Sequence, residues 1–191
     1  MTPTQEKLFD ILFTQSFMYR EDPPFKLVSG KESFYYFDCK ATTLDPAGVA
    51  LTGKVMFDTL APIIKAEGIT ALGGLTLGAD PISVSTCIEA YAQGVNLSPL
   101  IIRKEAKKHG TQKWIEGRLE GVKDVIVIDD VITTGGSTIT AIERRRESGL
   151  NVVKAAVLVD REEGGRENIE ATGVEVVSLF SRKDFDARRL G

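Results

Sequence analysis

Apolar runs separated by amphipathic stretches alternate along most of the chain. Val125-Ile126-Val127-Ile128 is an unbroken β-branched run, as expected of a strand covered on both faces. Further apolar runs at 69–72, 100–102, 152–159 and 174–180 predict strands, and helical spacing is read over 46–67, 81–93 and 138–148. Strands alternating with helices in this order predict an α/β fold, a central parallel sheet flanked by helices. Ahead of it, Leu8, Phe9, Ile11, Leu12, Phe13 and Phe17 predict a helix in an N-terminal extension, and Phe34-Tyr35-Tyr36-Phe37 predicts an aromatic strand after a Ser29-Gly30 turn. Together these form a small N-terminal hood.

A length of 191 residues with 42% hydrophobic content suffices for one sizeable core and falls short of two ordinary domains, so a single domain over 1–191 is expected. A net charge of -3 argues against a general nucleic-acid binder, which needs a dominant basic face. Cys39 and Cys87 are far apart and lack a metal-ligand pattern, which suggests a reducing compartment and plain core or surface roles. No apolar run approaches membrane-spanning length, and the N-terminus lacks the basic-then-apolar order of a signal peptide. The expectation is a cytoplasmic protein that works on small molecules, with neither nucleic acid nor membrane as partner.

Candidate chemistry concentrates where the β-branched run meets Asp129 and Asp130, at the expected end of the strand. Val131-Ile132-Thr133-Thr134-Gly135-Gly136-Ser137-Thr138 follows and leads into the helix at 138–148. Hydroxyls and glycines there leave backbone N–H groups free to hold a phosphate. A carboxylate repels a phosphate dianion, whereas its oxygens accept hydrogen bonds from sugar hydroxyls, so the acids suit a ribose and the turn its phosphate. Alternate strand side chains point to opposite faces, so the two acids need not be equivalent, and either can help to hold a divalent cation through water. The pattern does not rank them. A helix cap alone would use one hydroxyl and would leave two adjacent acids and two glycines without a reason. No Gly-Lys-Ser/Thr follows the glycines, and the spaced glycines of a dinucleotide fingerprint are absent.

This junction resembles the phosphoribosyl diphosphate motif of the type I phosphoribosyltransferases. The resemblance implies that Val131, Ile132, Thr133, Thr134, Gly135, Gly136 and Ser137 bind the 5-phosphate of phosphoribosyl diphosphate (PRPP), and that Asp129 and Asp130 bind its ribose hydroxyls. A second cluster carries Arg103, Lys104, Lys107, Lys108 and Lys113 against Glu105 alone, with His109, the one histidine, inside it. Charge runs of this kind are usually solvated surface, yet Gly110 and Gly117 bracket a segment suited to act as a lid over a diphosphate. Arg103-Lys104-Glu105-Ala106-Lys107-Lys108-His109-Gly110 is similar to the catalytic-loop signature of the orotate phosphoribosyltransferases. That similarity implies diphosphate contacts from Arg103, Lys104, Lys107 and His109, with Lys107 as the catalytic cation beside Asp129 and Asp130. It also implies magnesium as cofactor and a homodimer whose loops close over the neighbouring subunit's site.

The stretch from Phe25 to Asp38 resembles the N-terminal signature of the same enzymes, in which an aromatic pair packs against the orotate ring; Tyr36 and Phe37 match it. Aromatic residues alternating on a strand are also common core packing. In Val157-Leu158-Val159-Asp160-Arg161, an arginine sits just past a buried strand. Its planar fork suits the orotate carboxylate, and a surface salt bridge to Glu162 or Glu163 is the plain alternative. With Thr133 these complete the implied orotate contacts. Two positions depart from the pattern: Val28 stands where many relatives place a lysine, with Lys26 as its possible substitute, and Leu72-Gly73-Gly74-Leu75-Thr76-Leu77-Gly78-Ala79-Asp80 lacks their Tyr-Lys pair. The implied reaction transfers phosphoribosyl from PRPP to orotate in pyrimidine synthesis. A purine phosphoribosyltransferase would not need Arg161 or the 103–109 pattern, and a PRPP-sensing regulator would need an output domain.

Overall fold

The computed structural model of the chain describes residues 1–26, 32–105 and 114–191. Helix α1 (Pro3–Ile11) opens on a capping box in which the Thr2 hydroxyl accepts from the Gln5 amide and the Gln5 side chain accepts from the Thr2 amide. A π-helical turn (Leu12–Ser16) ends it, so Phe17 lies in a strand and not in the helix that the apolar spacing predicts. Strands β1 (Phe17–Tyr19), β2 (Phe25–Lys26), β3 (Glu32–Ser33) and β4 (Tyr35–Phe37) make two small antiparallel pairs, β1 with β4 and β2 with β3. These pairs are the hood.

Short helix α2 (Lys40–Thr43) leads to α3 (Pro46–Glu67), whose ends match the expected 46–67 because both carry strong signals. Asp45 accepts from the Ala47 and Gly48 amides, Pro46 needs no N–H partner, and Gly68 closes the helix at φ 64°. By length and composition α3 could cross a membrane, contrary to the expectation from the sequence. Val55, Met56, Phe57, Leu60 and Ile64 instead bury one face of it in a core shared with α1 and the next helix.

Next come β5 (Ala71–Leu75), α4 (Ala79–Ala92), β6 (Ser98–Ile102), β7 (Ile115–Glu116) and β8 (Asp124–Ile132). The chain ends with α5 (Gly136–Glu147), β9 (Asn151–Asp160), α6 (Gly165–Glu170), β10 (Glu175–Ser181) and α7 (Arg182–Leu190). The six-stranded sheet has the order β10-β9-β8-β5-β6-β7, parallel except for the short edge strand β7. Along β8, Ile126 and Ile128 enter the core with α1, α3 and α4, while Val125 and Val127 enter the core with α5 and α6. All four are fully buried, and each contributes roughly 1.5–3 kcal/mol by leaving water.

Two strands differ from expectation, and both differences shape the site. Strand β5 lies at Ala71–Leu75 and not at 69–72 because it runs through Gly73 and Gly74, where apolar periodicity is silent. A Cβ at Gly73 would meet the Leu100 carbonyl oxygen at 1.7 Å, and one at Gly74 the Ile128 carbonyl oxygen at 1.8 Å. Strand β8 runs on through both acids to Ile132, so Asp129 and Asp130 stand within the strand and not beyond it. Its pairing with β9 continues to Ile132, while its pairing with β5 stops at Val127. The strand order reverses between β5 and β8, with α4 and α5 on opposite faces of the sheet. A crevice opens at such a point, at the carboxyl ends of the strands.

Candidate active site

The crevice between β5 and β8 is a cleft of about 290 Å³, with Asp129, Asp130 and Ser137 along one wall and Thr76, Leu77 and Gly78 along the other. The two acids do different jobs. Asp129 turns inward: Oδ2 accepts from the Ser137 hydroxyl at 2.8 Å and the Thr138 hydroxyl at 2.7 Å, and Oδ1 from the Asp130 amide at 3.0 Å. It therefore ties the strand to the first turn of α5. Burial, and then the charge of Asp130, push its carboxyl up to about 7, against the pull of those hydrogen bonds. Asp130 faces the cleft; Oδ1 accepts from the Val131 amide at 3.0 Å, and among the described residues its other oxygen has no protein donor.

Helix α5 begins after Gly135 with no side chain capping it, so its first amides are open to an anion. Thr133 is half-buried, and Thr134, Gly136 and Ser137 are exposed around this opening. Val131 and Ile132 belong to β8; the Ile132 side chain is buried in the core and its carbonyl accepts from the Arg161 amide at 3.0 Å. Across the cleft, Thr76 donates to Asp80 at 2.7 Å, which fixes the loop at the start of α4. Gly78 passes so close to Asp130 that a Cβ would come within 2.5 Å of its carboxylate. Any larger residue there would displace the cleft's open acid.

Arg161 leaves the end of β9 almost fully buried and reaches the hood, where it donates to the Ser33 hydroxyl at 3.0 Å and lies 2.7 Å from Glu163. Among the described residues its Nε has no hydrogen-bond partner. The Glu163 contact expected as the plain alternative is present. Tyr36 and Phe37 separate, as neighbours on a strand should. Tyr36 is exposed and stacks on Phe25 at 5.5 Å, whereas Phe37 is buried among Phe17 and Phe185, with the Arg161 guanidinium 5.9 Å from its ring centre.

Of the basic cluster, Lys107 and His109 lie outside the described residues. Lys104 lines the cleft, and Arg103 pairs with Glu116 at 2.8 Å. Sequence reasoning missed Arg144. From α5 its guanidinium donates to the carbonyls of Arg103 and Lys104 and lies 4.2 Å from the centre of the Trp114 ring, gripping both ends of that cluster. The run Arg144-Arg145-Arg146 at a helix C-terminus reads as dipole compensation, which hid it. Thr138 and Lys40 stand at the site too, although Thr138 reads only as the last hydroxyl of the stretch from Val131 and no periodicity marks Lys40. Lys40 lines the cleft 2.9 Å from Asp38.

Residues 87–183 match the family model described as the phosphoribosyl transferase domain. The chain is 43% identical over 179 residues to the orotate phosphoribosyltransferase of Leptospira biflexa, covering 92% of this chain and 96% of that one. Among solved structures it is similar to Mycobacterium tuberculosis H37Rv orotate phosphoribosyltransferase in complex with Fe(III) dicitrate, at a TM-score of 0.80 and 34% identity over 96% of this chain and 99% of the other. The structure of that enzyme in complex with PRPP superposes at a TM-score of 0.76, with 31% identity and the same coverage.

Proposed function

The chain belongs to the orotate phosphoribosyltransferases, and from that premise we propose how its residues divide the reaction between them. The reaction moves the phosphoribosyl group of PRPP to orotate, giving orotidine 5-phosphate and diphosphate in pyrimidine synthesis. One observation carries the assignment of roles: both adjacent acids of β8 border the cleft, but Asp129 has both oxygens tied to the Asp130 amide and the start of α5, whereas Asp130 keeps one oxygen without a protein donor among the described residues. Asp130 accepts from the ribose hydroxyls. Asp129 holds the turn of Thr133, Thr134, Gly135, Gly136 and Ser137 so that its amides and the start of α5 take the 5-phosphate. Val131 and Ile132 contribute backbone only.

Orotate enters under the hood, with its carboxylate on Arg161 in exchange for Glu163 and its ring beside Tyr36, while Phe37 supports from the core and Thr133 borders the base. As the anomeric bond breaks, positive charge grows on the ribose and negative charge on the departing diphosphate. Arg103, Lys104, Lys107 and His109 are proposed to receive that negative charge. Orotate brings its own nucleophilic nitrogen once deprotonated, so no covalent enzyme intermediate is needed.

Magnesium is the proposed cofactor. The free oxygen of Asp130 suits a hard cation that takes its remaining ligands from substrate oxygens and water, and such an ion would neutralise part of the diphosphate charge. A homodimer with shared sites is also proposed. Val84, Ile88 and Tyr91 form an exposed apolar stripe on α4, and exposed Leu77 continues it to the rim of the cleft. The free, buried thiols of Cys39 and Cys87 suit a cytoplasmic setting.

The test is loss of orotate absorbance with PRPP, run beside uracil, adenine and hypoxanthine, with chelator added and magnesium restored. Turnover of orotate alone, abolished by chelation and recovered with magnesium, is expected. Equal turnover of a base without a carboxylate would remove Arg161 from its role, and full activity in chelator would remove the metal.

A further inference from the structure

Loop 76–78 makes one wall of the cleft and carries no basic side chain, and Asp80, just past it, adds an acid. The facing wall holds Asp129 and Asp130. A polyanion placed between two such walls needs cations, and among the described residues that line the cleft these are Lys40 and Lys104. Arg103, at the same end, is paired with Glu116. Resting on the reaction proposed above, we propose that Lys40 binds the diphosphate of PRPP, supplying from α2 the positive charge that loop 76–78 lacks.

The placement of Lys40 supports this role. It follows the hood strand β4 by three residues and so links the base side of the site to the sugar side. Asp38 first, and then Asp130 and Tyr36, hold its ammonium above the usual lysine pKa, so it stays charged wherever the enzyme works. Its partner Asp38 is a half-exposed carboxylate 2.9 Å away, with side chains 45% and 38% exposed. A pair that open to water is weak and yields readily to a doubly charged ligand. Arg161, from the end of β9, already serves the orotate carboxylate, which leaves Lys40 for the leaving group. Lys104 approaches from beyond β6, so the two lysines would grip the diphosphate from separate elements.

The experiment is calorimetric titration of inorganic pyrophosphate and, separately, of ribose 5-phosphate, both with magnesium, into the wild type, Lys40→Met and Lys40→Arg. Lys40→Met should weaken pyrophosphate about tenfold or more, as loss of a charge-assisted contact does, with ribose 5-phosphate changed by less than about twofold. Lys40→Arg should recover most of the loss. Unchanged pyrophosphate affinity overturns the proposal, as does an equal loss for both ligands, or a rise in orotate KM alone. If Lys40→Met does not fold, Lys40→Arg and Lys40→Gln carry the same comparison. Orotate turnover by the wild type is measured in parallel. Its absence would sink the assigned reaction while leaving the pyrophosphate result to decide Lys40, and turnover with unaltered pyrophosphate binding would sink Lys40 alone.

Discussion

Asp129 is a buried carboxyl whose titration is linked to folding. Its carboxyl is raised by burial and by Asp130 from 3.8 to about 7, so the folded pKa lies above the unfolded one. Its contribution to stability is then complete below the unfolded pKa and is lost as pH climbs through the folded value. The midpoint of thermal unfolding should therefore fall between about pH 4 and 8, and Asp129→Asn, which does not titrate, should flatten that fall. An identical slope in both proteins would mean that the carboxyl is not inward-facing and desolvated. Arg145 poses a different problem, because it is fully buried and, among the described residues, none of its guanidinium nitrogens has a hydrogen-bond partner. Burial lowers its pKa to about 9, and among the described residues no hydrogen bond offsets the lost hydration. Arg145→Met should raise unfolding free energy by about 1–4 kcal/mol in a denaturant titration, and a fall would reveal an ion pair at that position. The sequence exposes neither residue's environment, since the pattern does not rank Asp129 against Asp130 and Arg145 is one of three arginines in a row at 144–146.

Among the elements, those whose ends carry chemical signals were the legible ones. Asp45, Pro46 and Gly68 mark both limits of α3, and the β-branched run marks β8 from its first residues. Elements held by tertiary contacts were not legible. Helix α7 has Phe185 as its one buried residue, and it is fixed by that ring, 4.7 Å from Phe9 and 4.9 Å from Phe37, together with a capping box between Ser181 and Asp184. Helix α6 buries Ile169 and Gly165, too few for a period to register. The same limit applies to the link between α5 and the basic cluster, because no local pattern shows Arg144 reaching back to the carbonyls of Arg103 and Lys104. Arg144→Ala should lower kcat/KM for PRPP by about tenfold or more, consistent with losing hydrogen bonds that place a binding segment. Arg144→Lys should recover little, lacking the planar fork and the stacking on Trp114. Full activity in Arg144→Ala would show that α5 does not position the cluster.

For the whole molecule, the sheet brings the turn before α5, the open acid of β8 and the arginine that follows β9 to one edge, and the hood reaches that edge through the Ser33 contact of Arg161. On the proposed assignment the chain builds the sugar and base ends of the site itself, and the apolar stripe on α4 is the surface proposed to meet a second copy. Ile88→Glu, at a position 66% exposed, should leave the fold intact, shift the species seen by sedimentation from dimer to monomer and depress turnover with it. A monomeric variant with undiminished turnover would count against shared sites. On the proposed assignment, PRPP and orotate are held at the ends of separate strands, β8 and β9. Steady-state kinetics of Arg161→Ala, with each substrate varied in turn, tests it most directly. The expected result is an orotate KM raised by about tenfold or more, as loss of a charged bidentate contact gives, with the PRPP KM within about twofold of wild type. An unchanged orotate KM, or equal rises for both substrates, would contradict it.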